Sequence, residues 1–338
     1  MRRLVVLFGS LVLTSIAACG GSDAPPPTPD APGLSGDKYE LTFGPVTVQP
    51  GQENTQCIEA RLSNPAPIKV HQMHNVLGVG SHHLIVYKDD MATTEQKTPF
   101  DCQPFTGALN PSGMVAPIMI TQRSDDPLYL PDGVAYTLGA NQMMRVEMHF
   151  INSTDAPIEA TATVELYAAP EAAIHDEANI LFIGSPDIDI PAGQTVTLQE
   201  FFTPSRANLD LSGAKFFAIT GHTHQYGTDM QVGIAPTSGA TPTSVYAPQP
   251  FEWDEPLTQT HKPEFTIPDG GGFNFKCIYN NTSAQNIGFG ESANDEMCFF
   301  WAYYYPSQGA HVCVHTNQFG NLDLCCPDAG PTLCDMLM

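Results

Sequence analysis

Thr161-Ala162-Thr163-Val164-Glu165-Leu166-Tyr167 sets Ala, Val and Leu on one side of an extended chain and Thr, Glu and Tyr on the other. Successive side chains of a strand point to opposite faces, so a period of two predicts a half-buried strand. Tyr39 to Val48, Thr195 to Phe201 and Glu264 to Ile267 repeat the pattern. Turn sequences fall between such runs: Leu130-Pro131-Asp132-Gly133, Pro191-Ala192-Gly193 and Pro268-Asp269-Gly270. Segments of helical period are scarce. Many short strands at this spacing predict an all-β chain built of antiparallel, jelly-roll-like β-sandwiches. No repeat of fixed period is visible. No Gly-rich loop follows a strand to open a helix, so nucleotide binding has no support.

The start of the chain reads differently. Met1-Arg2-Arg3, the apolar run Leu4 to Ile16 and the small Ala17-Ala18 form an export signal, residues 1–18, too short to span a bilayer comfortably. Cys19 directly after it resembles the lipidation site of bacterial lipoproteins. Gly20, where Asp would mark retention in the inner membrane, favours the outer membrane of a Gram-negative cell. Residues 19–36 are polar and Pro-rich, a tether with nothing to bury. No later stretch is long and apolar enough for a second span. About 300 residues remain, which suits two consecutive sandwich domains, 37–170 and 171–338. Strand patterning lapses between them, from Ala168 to Ala178.

The net charge of −23, from 36 acidic and 13 basic residues, argues against nucleic acid and polyanionic substrates. It suits a solvated, secreted surface, and a monomer is expected. Of nine Cys, setting aside Cys19 leaves Cys57, Cys102, Cys277, Cys298, Cys313, Cys325, Cys326 and Cys334. An even count in an exported chain predicts four disulfides.

Three motifs hold five of the eleven His, each beside a strand-like run. Gly80-Ser81-His82-His83 precedes the apolar Leu84 to Tyr87. Adjacent residues of a regular strand face opposite ways. The His pair can share one metal only where the strand begins irregularly, bulges or twists. His149 lies in Met143 to Phe150, on the face opposite Met144, Val146 and Met148. His222-Thr223-His224 follows the apolar Phe216 to Ile219. On a strand, His-x-His puts both imidazoles on one face, at the separation of two corners of a metal site. Asn294-Asp295-Glu296-Met297-Cys298 runs into the aromatic Phe299 to Tyr305, with Cys277 upstream.

In this order, a His-His pair, a distant strand His, a His-Thr-His with Gly three residues on, and Asp-Glu-Met-Cys before aromatics resemble the copper type II, ascorbate-dependent monooxygenases. The resemblance runs from about Tyr39 to Tyr305 and includes the turn Leu130 to Val134. It implies an electron-transfer copper on His82, His83 and His149, and an oxygen-activating copper on His222, His224 and Met297. It also implies the disulfides Cys57–Cys102 and Cys277–Cys298. The pairing of the last four Cys stays open. Imidazole serves both copper oxidation states, and a thioether favours Cu(I). Met is a weak zinc ligand, so hydrolytic zinc fits the second set poorly. The resemblance implies two copper ions, O2, ascorbate or another reductant, and hydroxylation of an activated C–H of a small organic substrate.

Peptide-amidating members carry Arg where this chain has Thr220, and Asn and Tyr where it has Phe299 and Trp301. The anchor for an anionic peptide is gone, and Trp301 is a candidate contact for a more apolar substrate. His71, His74, His175, His261, His311 and His315 are expected outside the two sites. Two rival readings remain. A non-catalytic copper-delivery lipoprotein would use the same six ligands, and a partner-binding sandwich module would hold no metal.

Overall fold

A computed structural model describes residues 35–104, 114–318, 320–330 and 334. The export signal, Cys19 and all but the end of the tether lie outside these residues. Among the described residues the regular elements are strands, apart from two short 3₁₀ turns at Glu171–Ala173 and Pro204–Ala207.

The strands before residue 178 form two facing sheets. One has the order Gln96–Asp101, Glu53–Arg61, Met143–Ile151, Ser81–Asp89, Val115–Thr121, antiparallel throughout. The other runs Asp37–Val48, Ile158–Ala169, Ile68–Leu77, Val134–Leu138, Asp176–Glu177, with Asp125–Tyr129 also on Ile68–Leu77. The alternation read in the sequence appears in Ile158–Ala169 as buried Ala160, Ala162, Val164 and Leu166 between partly exposed neighbours. Those side chains meet Val86, Val146 and Met148 of the first sheet in one apolar core.

The strands after residue 178 form a six-stranded sheet, Gln259–Phe265, Lys215–His222, Phe299–Tyr305, Asn179–Gly184, His311–Thr316, Leu322–Cys326. It faces a four-stranded sheet, Thr195–Phe202, Gly272–Asn280, Gly227–Ala235, Thr243–Tyr246. Two pairings depart from the antiparallel expectation. Asp176–Glu177 runs parallel to Val134–Leu138, and Asn179–Gly184 runs parallel to His311–Thr316. The strand expected at Glu264 to Ile267 lies earlier, at Gln259–Phe265.

Phe299–Tyr305 explains why its aromatic run shows no alternation. All seven residues are buried. Phe300, Ala302 and Tyr304 enter the core between the C-terminal sheets. Phe299, Trp301, Tyr303 and Tyr305 enter the same core as the N-terminal sheets. The Tyr303 hydroxyl anchors that contact, lying 3.0 Å from the Ile120 backbone N. From Ser35 onward the chain is one compact unit.

Candidate metal centre

His82 occupies a bulge. Ser81 pairs with Phe150 and His83 with His149, so one residue on the first strand has no counterpart on the second. An extra residue of this kind re-aims the side chains beside it, which lets neighbours that would oppose each other converge. Gly80 starts the irregularity at φ +80°, where a Cβ would also run into Ile158. His83 and His149 are direct cross-strand partners with side chains on one face. Their Nε2 and Nδ1 atoms lie 3.2 Å apart. The His82 ring lies 5.3 Å from that of His83 and 5.2 Å from that of His149.

His222 and His224 depart from the expected single strand. Lys215–His222 ends at the first of them, and His224 lies in the connection to Gly227–Ala235. Gly227 permits this turn by closing on Thr223, where a Cβ has no room. The Glu296 carboxylate completes it, accepting from the N–H groups of His224 (2.9 Å), Tyr226 (2.6 Å) and Met297 (3.2 Å). The two imidazoles stand 5.0 Å apart, nearly perpendicular. Met297 is buried, its carbonyl accepting from the Tyr279 hydroxyl and its side chain within the core of Phe182, Phe299 and Trp301. A second thioether is present as well: the His222 N–H points at the Met230 sulfur, 3.1 Å away.

Two separate pockets were expected, and here the structure corrects the sequence reading. The His82 ring lies 6.2 Å from His222 and 5.7 Å from His224, and the His83 ring lies 6.3 Å from His222. All five imidazoles form one cluster where the N-terminal and C-terminal sheets meet. A small cavity of about 10 Å³ lies against it, lined by His83, Ile120, Gln122, Phe182, His222 and Trp301.

Burial dominates the electrostatics. It pushes His82 down to about 3 and His224 to about 4, and His83 and His222 well below the ordinary imidazole value, with neighbouring imidazoles adding to the effect. At neutral pH these four rings are uncharged and keep a lone pair. The Gln122 carbonyl lies 2.8 Å from His222 Nδ1, so that nitrogen carries the proton. His222 Nε2 is then a bare acceptor, and it is buried with no hydrogen-bond partner. Nε2 of His82 is buried and unpaired too. Beside them, Glu53 lies 2.9 Å from His149 Nε2. That hydrogen bond, with help from Ala293 and Ser292, holds its carboxyl down to about 2 against the effect of burial.

Among the described residues no three His, Cys, Asp or Glu side chains already surround a common metal position. The donor chemistry nevertheless fits copper: neutral imidazoles and unpaired buried Nε2 atoms, with the Met230 thioether at the His222 backbone. The carboxylate near His149 is spoken for by hydrogen bonds, which leaves the set soft.

The other His are engaged elsewhere. His74 lies between Asp125 and Glu165, and His71 meets the Tyr167 carbonyl. His175 meets Asp176, His261 the Val245 carbonyl, and His311 Asp328. His315 lies between Asp323 and Glu200. Four disulfides form: Cys57–Cys102, Cys277–Cys298, Cys313–Cys325 and Cys326–Cys334. The last two close the pairing that the sequence left open.

Trp301 is buried, its ring 6.2 Å from His222. Sequence reasoning missed Trp253, whose ring lies 5.9 Å from His82 and is only partly buried. It was one of only two Trp in the chain, set between Pro250 and Pro256 in an acidic loop. Gln122, Glu53 and Met230 carried no motif.

Residues 176–323 match the C-terminal domain model of the copper type II ascorbate-dependent monooxygenases. Tyramine beta-hydroxylase of Caenorhabditis briggsae is 25% identical over 208 residues, 56% of this chain. The chain spans about a third of that relative, 34%. Among solved structures, the major capsid protein P2 of bacteriophage PM2 aligns over 81% of this chain and 100% of its own, at 9% identity and a TM-score of 0.33. PNGase F, a glycosylasparaginase from Flavobacterium meningosepticum, aligns over 79% and 94%, at 10% identity and a TM-score of 0.33. Neither likeness bears on function. The matched residues carry the His-Thr-His and Asp-Glu-Met-Cys motifs, and the match supports a likeness of this part of the chain to the copper type II ascorbate-dependent monooxygenases.

Proposed function

We propose that this protein is a copper-dependent monooxygenase that hydroxylates an activated C–H of a small organic substrate, with O2 and with ascorbate or another external reductant. The observation that carries this reading is the convergence of five imidazoles, at least four of them neutral, from sequence positions more than 140 residues apart.

His82, His83 and His149 would hold one copper, and His222, His224 and Met297 a second. Bound copper would supply one-electron chemistry and activation of O2. The chain does the rest. Gln122 fixes which nitrogen of His222 faces the cluster. Glu296 holds the turn that presents His224 and starts the strand after Met297. Phe182 and Trp301 form an apolar wall beside His83 and His222 that excludes water. Trp253 covers His82 from a loop with three carboxylates, Glu252, Asp254 and Glu255. That acidic, aromatic mouth favours a small aromatic amine over an anionic peptide. The relative named for tyramine hydroxylation is consistent with that class.

We also infer an exported, lipid-anchored monomer, held through Cys19 at the outer membrane. Four disulfides support the oxidising compartment. Palmitate incorporation that Cys19→Ser abolishes would test the anchor.

The activity test is ascorbate-dependent oxygen uptake by the copper-loaded protein across small aromatic amines and glycine-extended peptides, with bound copper counted. Amines should stimulate uptake, and about two copper ions should bind per chain. His222→Ala should lower turnover at least 1000-fold. Met297→Ala should abolish oxidation while most of the copper stays bound. Copper bound without any ascorbate-dependent uptake would leave metal delivery as the function.

A further inference from the structure

Glu53 stands on the strand Glu53–Arg61, next to the strand that carries His149. In that register Thr55 opposes His149. Glu53 is two residues away and therefore on the same face. Its carboxylate does two things at once. One oxygen lies 2.9 Å from His149 Nε2 and accepts the Ala293 N–H at 3.0 Å. The other accepts the Ser292 hydroxyl at 3.2 Å. Ser292 and Ala293 lie about 240 residues further along the chain.

The segment that Glu53 grips is the one that builds the other set of donors. It is internally tied: Asp295 N–H bonds the Ser292 carbonyl, Glu296 N–H the Gly288 carbonyl, and Gly290 N–H the Glu296 carbonyl. Two residues beyond Ala293, the Asp295 carbonyl lies 3.2 Å from His224 Nδ1. One residue further, the Glu296 carboxylate takes the His224 N–H, and Met297 follows. A continuous series of hydrogen bonds therefore runs from the His149 ring through Glu53 and residues 292–296 to the ring and backbone of His224.

We propose that Glu53 is a positioning residue that couples the two sets of copper donors, fixing the proton of His149 on Nε2 and docking the segment that presents His224 and Met297. A carboxylate only accepts, so His149 must carry a proton on Nε2, the nitrogen that faces Glu53. The same two oxygens dock residues 292–293, so a disturbance in either set reaches the other through one side chain. This inference rests on the monooxygenase reading for its purpose, though not for its geometry.

The test uses the full metal-free chain, so it does not depend on turnover. In the wild type, ring nitrogen chemical shifts should report His149 as the Nε2–H tautomer. Glu53→Ala should mix the two tautomers and speed amide exchange across 292–297 at least tenfold, with exchange in Gly272–Asn280 unchanged. Glu53→Gln keeps a carbonyl acceptor and should restore most of the protection. Ser292→Ala removes the hydroxyl's bond to Glu53, and the bond that the hydroxyl accepts from the Asn294 N–H, without touching His149; it should speed exchange two- to threefold and leave the tautomer intact, and it also serves if Glu53→Ala fails to fold. An unchanged tautomer in Glu53→Ala, or exchange at 292–297 within twofold of wild type, would overturn the coupling. A wild type with both signatures but no ascorbate-dependent oxygen uptake would sink the monooxygenase reading and leave the coupling standing.

Discussion

Glu296 is fully buried, and its carboxylate is the acceptor for three backbone N–H groups around the second pair of imidazoles. Burial pushes its carboxyl up to about 7, although those N–H groups pull the other way. Removing the acceptor strands the three donors in a dry turn. Glu296→Ala should therefore cost on the order of 3 kcal/mol in unfolding free energy, measured by urea titration, and Glu296→Gln about half as much. A loss below about 1 kcal/mol for the Ala variant would mean that water reaches the turn. The sequence displayed Glu296 within its Asp-Glu-Met-Cys motif but concealed its task, because two of its three partners are backbone groups some 70 residues away. The bulge at His82 was legible from elementary geometry, since adjacent strand residues cannot face one point without an irregularity. Gln122 and Glu53 were not legible: an amide and a carboxylate become part of a site only through what the fold sets opposite them.

Elements were legible where one face is wet. Ile158–Ala169 and Thr195–Phe202 show their alternation because solvent selects every second residue. Phe299–Tyr305 is covered on both faces, so nothing in its composition reveals which side meets which sheet. The hairpin of His311–Thr316 and Leu322–Cys326 was unreadable for another reason. Its cross-links, Cys313 with Cys325 and Cys326 with Cys334, are one choice among three. That hairpin also carries a titratable clasp. His315 and Asp323 are cross-strand partners, and Glu200 reaches the other ring nitrogen from Thr195–Phe202. Burial opposes the imidazolium, yet the Asp323 and Glu200 carboxylates outweigh it and raise His315 to about 9. A folded value above the unfolded value of about 6.5 stabilises the native state fully below pH 6.5. The contribution then fades as pH rises through 9. Wild type should exceed His315→Gln by on the order of 2 kcal/mol at pH 6, and the difference should shrink severalfold by pH 10. A difference that stays flat between those pH values would show that the clasp is uncharged.

At the scale of the whole molecule, the strongly acidic chain places uncharged nitrogen donors where its N-terminal and C-terminal sheets meet. Motif spacing could separate the donors into two sets, but it could not give the distance between the sets, which depends on how Phe299, Trp301 and Tyr303 bed into the N-terminal core. That distance has a thermodynamic consequence. A ligand that binds only the folded state stabilises it by about 2.7 kcal/mol when present at 100 times its Kd. If the donors acted as two independent pockets, His82→Ala and His222→Ala would each remove only their own ion's contribution, and the losses would add. In a shared cluster whose rings touch across the two sets, each substitution disturbs both ions. Each single variant should therefore lose well over half of the copper-induced rise in Tm, and the double variant should lose little more than either one. Scanning calorimetry of the four proteins, with and without Cu(I) under ascorbate, measures the four shifts. Strictly additive losses would mean that the two sets bind independently and that the ring contacts across them carry no energy.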